Sequence, residues 1–143
     1  MFGCKFNTKG IELNNIKYLF NKSIDVKPFI ISMELVNHYS TPVCLHVFMP
    51  FNELVLNRID YINDGYNQYD IFNVSDRNYE LLCIQPNKHD TVSILLDMNS
   101  VFDLYKFSMF LYDENDKVIV DTSLVINGPK VIDVVGKYFW LPN

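Results

Sequence analysis

The feature that most constrains this chain is a repeated alternation of apolar and polar residues with a period of two. Phe29, Ile31, Met33 and Leu35 fall on one side of an extended segment, with Ser32 and Glu34 on the other. Val43, Leu45, Val47 and Met49 repeat the pattern after the turn-forming His38-Tyr39-Ser40-Thr41-Pro42. It returns at Val92, Ile94, Leu96 and Met98, at Tyr105, Phe107, Met109 and Leu111, and at Val118, Val120, Thr122 and Leu124. Residues 79–85 add a short apolar run. Successive side chains of a strand point to opposite faces, so each segment reads as a strand with one buried and one solvated face. That is the pattern of antiparallel sheets.

Between these strands the reading changes. Phe51, Leu54, Val55, Arg58, Ile59 and Ile62 stand at helical spacing, with Pro50 before them and Gly65 as a stop signal. A short connecting helix is therefore expected near 51–62, with a strand as the alternative. Residues 61–79, rich in Tyr, Asn and Asp, read as a long loop. Asp113-Glu114-Asn115-Asp116 reads as the turn of a closing hairpin.

The expected fold is an all-β, antiparallel β-sandwich of about seven strands. Six or so strands at roughly ten-residue spacing match the description of an immunoglobulin-like module. The stretch Tyr105-Lys-Phe-Ser-Met-Phe-Leu-Tyr-Asp-Glu-Asn-Asp-Lys-Val-Ile-Val120 resembles the closing hairpin of many Ig-like domains. The resemblance is to a superfold and carries no family motif. There is no Cys…Trp…Cys frame, and a jelly roll is the alternative. The expected organisation is an N-terminal arm (1–23), the sandwich (24–126) and a C-terminal aromatic tail (127–143). A chain of 143 residues fits one core.

Charge and motifs exclude several functions. The net charge is −5, which gives no reason to expect nucleic-acid binding. Residues 1–27 carry +3 and the remainder −8, so the leading segment is suited to docking on an acidic surface. No stretch approaches the ~18 apolar residues of a membrane-spanning helix, and no signal peptide is expected. Cys4, Cys44 and Cys83 are odd in number and widely spaced, which predicts reduced thiols. The sequons at Asn21 and Asn73 are read as idle in this Asn-rich chain.

Cys44 and His46 share a strand face and could touch, but as a nucleophile–base pair they have no recognisable setting. His38, His46 and His89 lack zinc spacing. Asp113–Asp116 and the Asp60–Asp70 stretch lack a calcium-loop register. Glycine clusters for phosphate are missing. No catalytic, cofactor-binding or metal residues are assigned, and no cofactor is expected.

What remains is contact surface. The expected partner-binding residues are Lys5, Lys9 and Lys17 of the arm, Tyr66, Tyr69 and Phe72 of the loop, and Tyr138, Phe139 and Trp140 of the tail. The chain has no alanine, two arginines beside ten lysines, and abundant Asn, Ile, Phe and Tyr, the residues of AT-rich codons. Together these lead to the expectation of a non-enzymatic structural or interaction protein. Its most concrete form is a small virion component, decorating a capsid or belonging to a tail or collar. It would act in the virion or host cytoplasm, with other protein subunits as partners and neither nucleic acid nor membrane. The alternative is a glycan- or peptide-binding module, or an effector-like regulator, using residues 61–79.

Overall fold

In a computed structural model of the chain, the alternating segments are strands of one curled, mixed sheet. The structure describes residues 10–20, 28–73, 78–97, 102–128, 130–134 and 137–141. Twelve strands are found there, more than the seven or so expected. They are β1 (Ile11–Phe20), β2 (Pro28–Asn37), β3 (Val43–Phe48), β4 (Glu53–Leu54), β5 (Arg58–Asn63), β6 (Tyr66–Ile71), β7 (Glu80–Ile84), β8 (His89–Asp97), β9 (Leu104–Tyr112), β10 (Val118–Asn127), β11 (Lys130–Val134) and β12 (Lys137–Leu141). Among the described residues there is no helix.

Ten strands join in the order β1-β2-β8-β4-β3-β9-β5-β6, with β10 on β9 and β7 on β3. Every pairing is antiparallel except β4 with β8, where Glu53 faces Ser93. The all-β fold expected from the alternation is what forms. Its two halves are not separate layers, because two-residue β4 bridges them by pairing with both β8 and β3. The sheet curls into a half-barrel whose concave side is the core.

The alternation places the core. Ile31, Met33 and Leu35 of β2, Val92, Ile94 and Leu96 of β8, and Val43, Leu45 and Val47 of β3 are buried. They pack with Tyr105, Phe107, Met109 and Leu111 of β9 and with Leu124 and Ile126 of β10. Burying each such side chain contributes about 1.5–3 kcal/mol. The pattern slips where the backbone does: a register shift between Val118 and Val120 turns Val118 to solvent.

Residues 11–20, placed in the arm by the sequence reading, form β1. Ile11 and Leu13 enter the core, and the strand pairs with β2 from Ile11↔Asn37 to Phe20↔Phe29. The Tyr18 hydroxyl donates to the Asn127 carbonyl at 2.5 Å. It thereby ties β1 to the end of β10, a strand with which β1 does not pair among the described residues.

The helix expected near 51–62 does not form. The chain turns after the cis Met49–Pro50 bond, and Asn52 takes a left-handed φ of 51°. Asn52 and Phe51 are then stitched across to β8. Asn52 Nδ2 donates to Thr91 O, Ser93 N to Asn52 O, and Ser93 Oγ to Phe51 O, each at 3.1 Å. Leu54, Val55 and Leu56 are all buried, and Phe51 is 80% exposed, so no helical apolar stripe exists. Three consecutive buried residues suit a segment wedged between two sheet halves.

One buried polar residue holds the β2 end of this frame. Asn37 is fully buried. Its Nδ2 donates to Thr41 O and Ile84 O, both at 2.9 Å, and its Oδ1 accepts from Tyr39 N at 2.8 Å. The β2–β3 turn and the end of β7 are thus fastened to one side chain.

Candidate functional site

The segment 61–79 is not the loop the sequence suggests. Asp64-Gly65 is the turn of a hairpin, with Gly65 at φ 72°, and β5 pairs with β6 from Asn63↔Tyr66 to Arg58↔Ile71. On its other side β5 pairs with β9, from Arg58↔Ser108 to Ile62↔Leu104. Every residue of β6 is exposed, so this strand projects past the core with both faces in solvent.

Register sorts the side chains of β6. Tyr69 lies opposite Asp60 and shares the outer face with Ile71 and Arg58; Tyr66, Gln68 and Asp70 take the other face. The Asp60 carboxylate is buried and accepts from Arg58 Nε at 3.2 and 3.1 Å and from NH2 at 2.9 Å. That bond to Asp60 raises the Arg58 pKa. The guanidinium also sits 4.1 Å from the centre of the Tyr69 ring. The ring is thereby oriented while it remains 53% exposed, and Ile71 beside it is 69% exposed. On the opposite face the Tyr61 hydroxyl donates to Asp70 Oδ2 at 2.9 Å, and Tyr66 OH donates to Gln68 Oε1 at 3.0 Å. Burial first, then the bond to Asp70, pushes the Tyr61 phenol well above its ordinary range.

A second cluster lies on the outer face of β7, β3 and β9. The His46 imidazole is stacked between the rings of Tyr79 and Tyr112, each centre 3.6 Å away and within 14° of parallel. His46 Nε2 meets Asp116 Oδ1 at 2.6 Å, and Tyr79 OH donates to Asp116 Oδ2 at 2.9 Å. The bond to His46, then that to Tyr79, lowers the Asp116 pKa. Asp116 reaches this position from the β9–β10 turn at φ 64°, and Asp113 Oδ1 accepts there from Asn115 N and Lys117 N. The turn's own backbone occupies the Asp113 carboxylate.

Cys44 and Cys83 correct the expectation of reduced thiols. They face one another across β3 and β7 and are joined as a disulfide. The sequence could not show this, because the residues lie 39 apart and only the register brings them together. The bond closes the loop from which β4, β5 and β6 emerge. A loop of that length contributes roughly 4 kcal/mol through the entropy of the unfolded chain. With Cys44 sulfur engaged, the Cys44–His46 face carries no free thiol nucleophile.

The remaining expected contacts are dispersed. Lys17 is exposed on β1, far in sheet order from β6. Phe72 is half-buried: it packs against the core, and its N–H donates to Asn57 O at 2.9 Å. Lys5 and Lys9 lie outside the described residues. Tyr138, Phe139 and Trp140 belong to β12, which pairs with β11 as a separate two-stranded sheet. The structure therefore gathers Tyr69 with Arg58 and Ile71, which the sequence reading omitted, and places Tyr66 on the reverse of the same hairpin.

No protein family model matches this chain, and no curated protein does. The chain is similar in outline to a solved structure described as the X-ray structure of Northeast Structural Genomics Consortium target SoR45. It has 13% sequence identity and a TM-score of 0.48, over 94% of this chain and 88% of that one.

Proposed function

We propose that the chain is a non-enzymatic structural or interaction protein whose working surface is the β5–β6 hairpin. The observation that carries this reading is β6 itself, with Tyr66, Tyr69 and Ile71 exposed on a strand that buries none of its residues. Aromatic side chains with few rotatable bonds give large contact area at low entropic cost. Tyr69 is further held by Arg58 and Asp60, so less order has to be acquired on contact. The disulfide at the base of the loop steadies the hairpin in the same sense.

In its concrete form the proposal is a small virion component contacting other protein subunits, in the particle or the host cytoplasm. The AT-rich composition supports it. Its test is quantitative mass spectrometry of purified particles from producing cells. Wild type is expected at stoichiometric copy number, and a Tyr69→Ala/Ile71→Ala variant is expected to be depleted although folded. Absence of the wild-type chain from particles overturns this form. The exposed rings of Tyr66 and Tyr69 beside Asn67 and Gln68 favour one other form, a glycan- or peptide-binding module. A glycan array showing binding that Tyr66→Ala and Tyr69→Ala abolish would establish it instead.

A further inference from the structure

We infer that the Cys44–Cys83 disulfide is a redox latch that sets whether Tyr79 covers His46. Strand β7 is five residues long and, among the described residues, pairs with β3 alone. Its Glu80 is exposed, Leu81, Leu82 and Cys83 are half-buried, and only Ile84 is fully in the core. Tyr79 immediately precedes this strand and forms one wall of the His46 stack. The opposite wall, Tyr112, stands on β9, which is anchored by β10, β5 and β3. One wall is thus fixed by the centre of the sheet, and the other depends on a short edge strand stapled by a single covalent bond.

The two cysteines differ in exposure in the direction a latch requires. Cys44 is fully buried, whereas Cys83 is half-buried on the edge strand. A dithiol reductant attacks through its thiolate at Cys83 Sγ. A mixed disulfide forms there, the Sγ–Sγ bond breaks, and Cys44 leaves as a thiolate that takes up a proton. The second thiol of the reductant closes its own disulfide and releases Cys83 as a thiol, completing a transfer of two electrons and two protons. Without the staple β7 keeps its hydrogen bonds to β3 and, at its far end, the Asn37 bond to Ile84 O and the buried Ile84 side chain, while the end that carries Tyr79 loosens. Tyr79 then leaves the imidazole, Asp116 loses one of its two side-chain donors, and the His46 face opens to solvent.

The test is stepwise reduction of the full chain with dithiothreitol, in a Cys4→Ser background so that thiol labelling counts only the pair. The readouts are His46 ring-proton shifts and amide exchange at 79–84 and 104–112. The expected result is two labelled thiols, with His46 moving from strongly ring-shifted positions toward ordinary ones. Exchange at 79–84 should rise by at least about tenfold while 104–112 stays protected. A Cys44→Ser/Cys83→Ser variant should show the reduced signature without reductant. Three results overturn the latch: a disulfide that resists reduction in the folded chain, unchanged His46 shifts and exchange at 79–84 after reduction, or loss of protection at 104–112 in parallel.

Discussion

Replacing Asn37 with leucine removes three side-chain hydrogen bonds at a fully buried position. Leucine has the same number of side-chain heavy atoms and the same branching, but its methyls are bulkier than the amide, so some overpacking adds to the loss of polarity. The partners stay behind: the carbonyls of Thr41 and Ile84 and the amide of Tyr39 lose their side-chain partner. A hydrogen bond contributes about 0.5–1.5 kcal/mol net, and a buried group left unpaired costs more than that. Three such bonds give about 3 kcal/mol, which for a chain of this size is a fall in Tm of roughly 6–12 °C. Thermal melts and urea titrations of the oxidised proteins measure it. Asn37→Asp separates the roles of the two side-chain ends, since it keeps the acceptor for Tyr39 and loses the donor. A carboxyl buried against two carbonyl oxygens has its folded pKa raised. The variant is therefore nearest to wild type below the unfolded pKa of about 3.9 and loses stability as pH rises above it. If Asn37→Leu melts within about 2 °C of wild type, Asn37 is not the fastening described.

Three other outcomes follow from the same frame. Asp116 has its folded pKa lowered, so its contribution is present above the unfolded value and lost as pH falls through the folded one; the stability gap between wild type and Asp116→Asn, read by urea titration, should shrink between neutral pH and about pH 3. Burial raises the Tyr61 and Tyr105 pKa values, which favours the neutral phenols in the fold. Spectrophotometric titration should find these two ionising only as strong alkali unfolds the chain. Gly128 donates its N–H to Asp103 O at 2.8 Å, and a Cβ there would land on the Phe102 carbonyl. Gly128→Ala should lower stability by about 1–3 kcal/mol in denaturant titration.

Much of the fold was legible because the core strands state their faces. Ile31-Met33-Leu35 and Tyr105-Phe107-Met109-Leu111 are buried as their alternation requires, and β9 pairs with β10 across the Asp113–Asp116 turn as expected. Strand β6 was not legible as a strand. Tyr-Asn-Gln-Tyr-Asp-Ile buries nothing, so it carries no alternation of hydrophobicity, although Asp64-Gly65 was a hairpin signal in plain view. The 51–62 segment misled for the opposite reason. Its apolar residues at helical spacing are split between exposed Phe51, the two-residue bridge that holds Leu54, and β5, which holds Ile59 and Ile62, a division set by tertiary packing. The His46 cluster joins three separate places in the chain, His46 itself, Tyr79, and Tyr112 with Asp116 of one hairpin, and the disulfide joins two. No local spacing encodes such meetings; the register of β3 with β7 and β9 does.

The most direct test of the working surface is a photo-crosslinking amino acid placed at position 69, compared with the same group at exposed Thr91 on β8. Both chains are produced in the native cell and irradiated, and adducts are resolved by mass. The account predicts a discrete adduct with a defined protein or glycan from position 69, and none at the same mass from position 91. Equal adducts from both positions, or none from position 69, would contradict it.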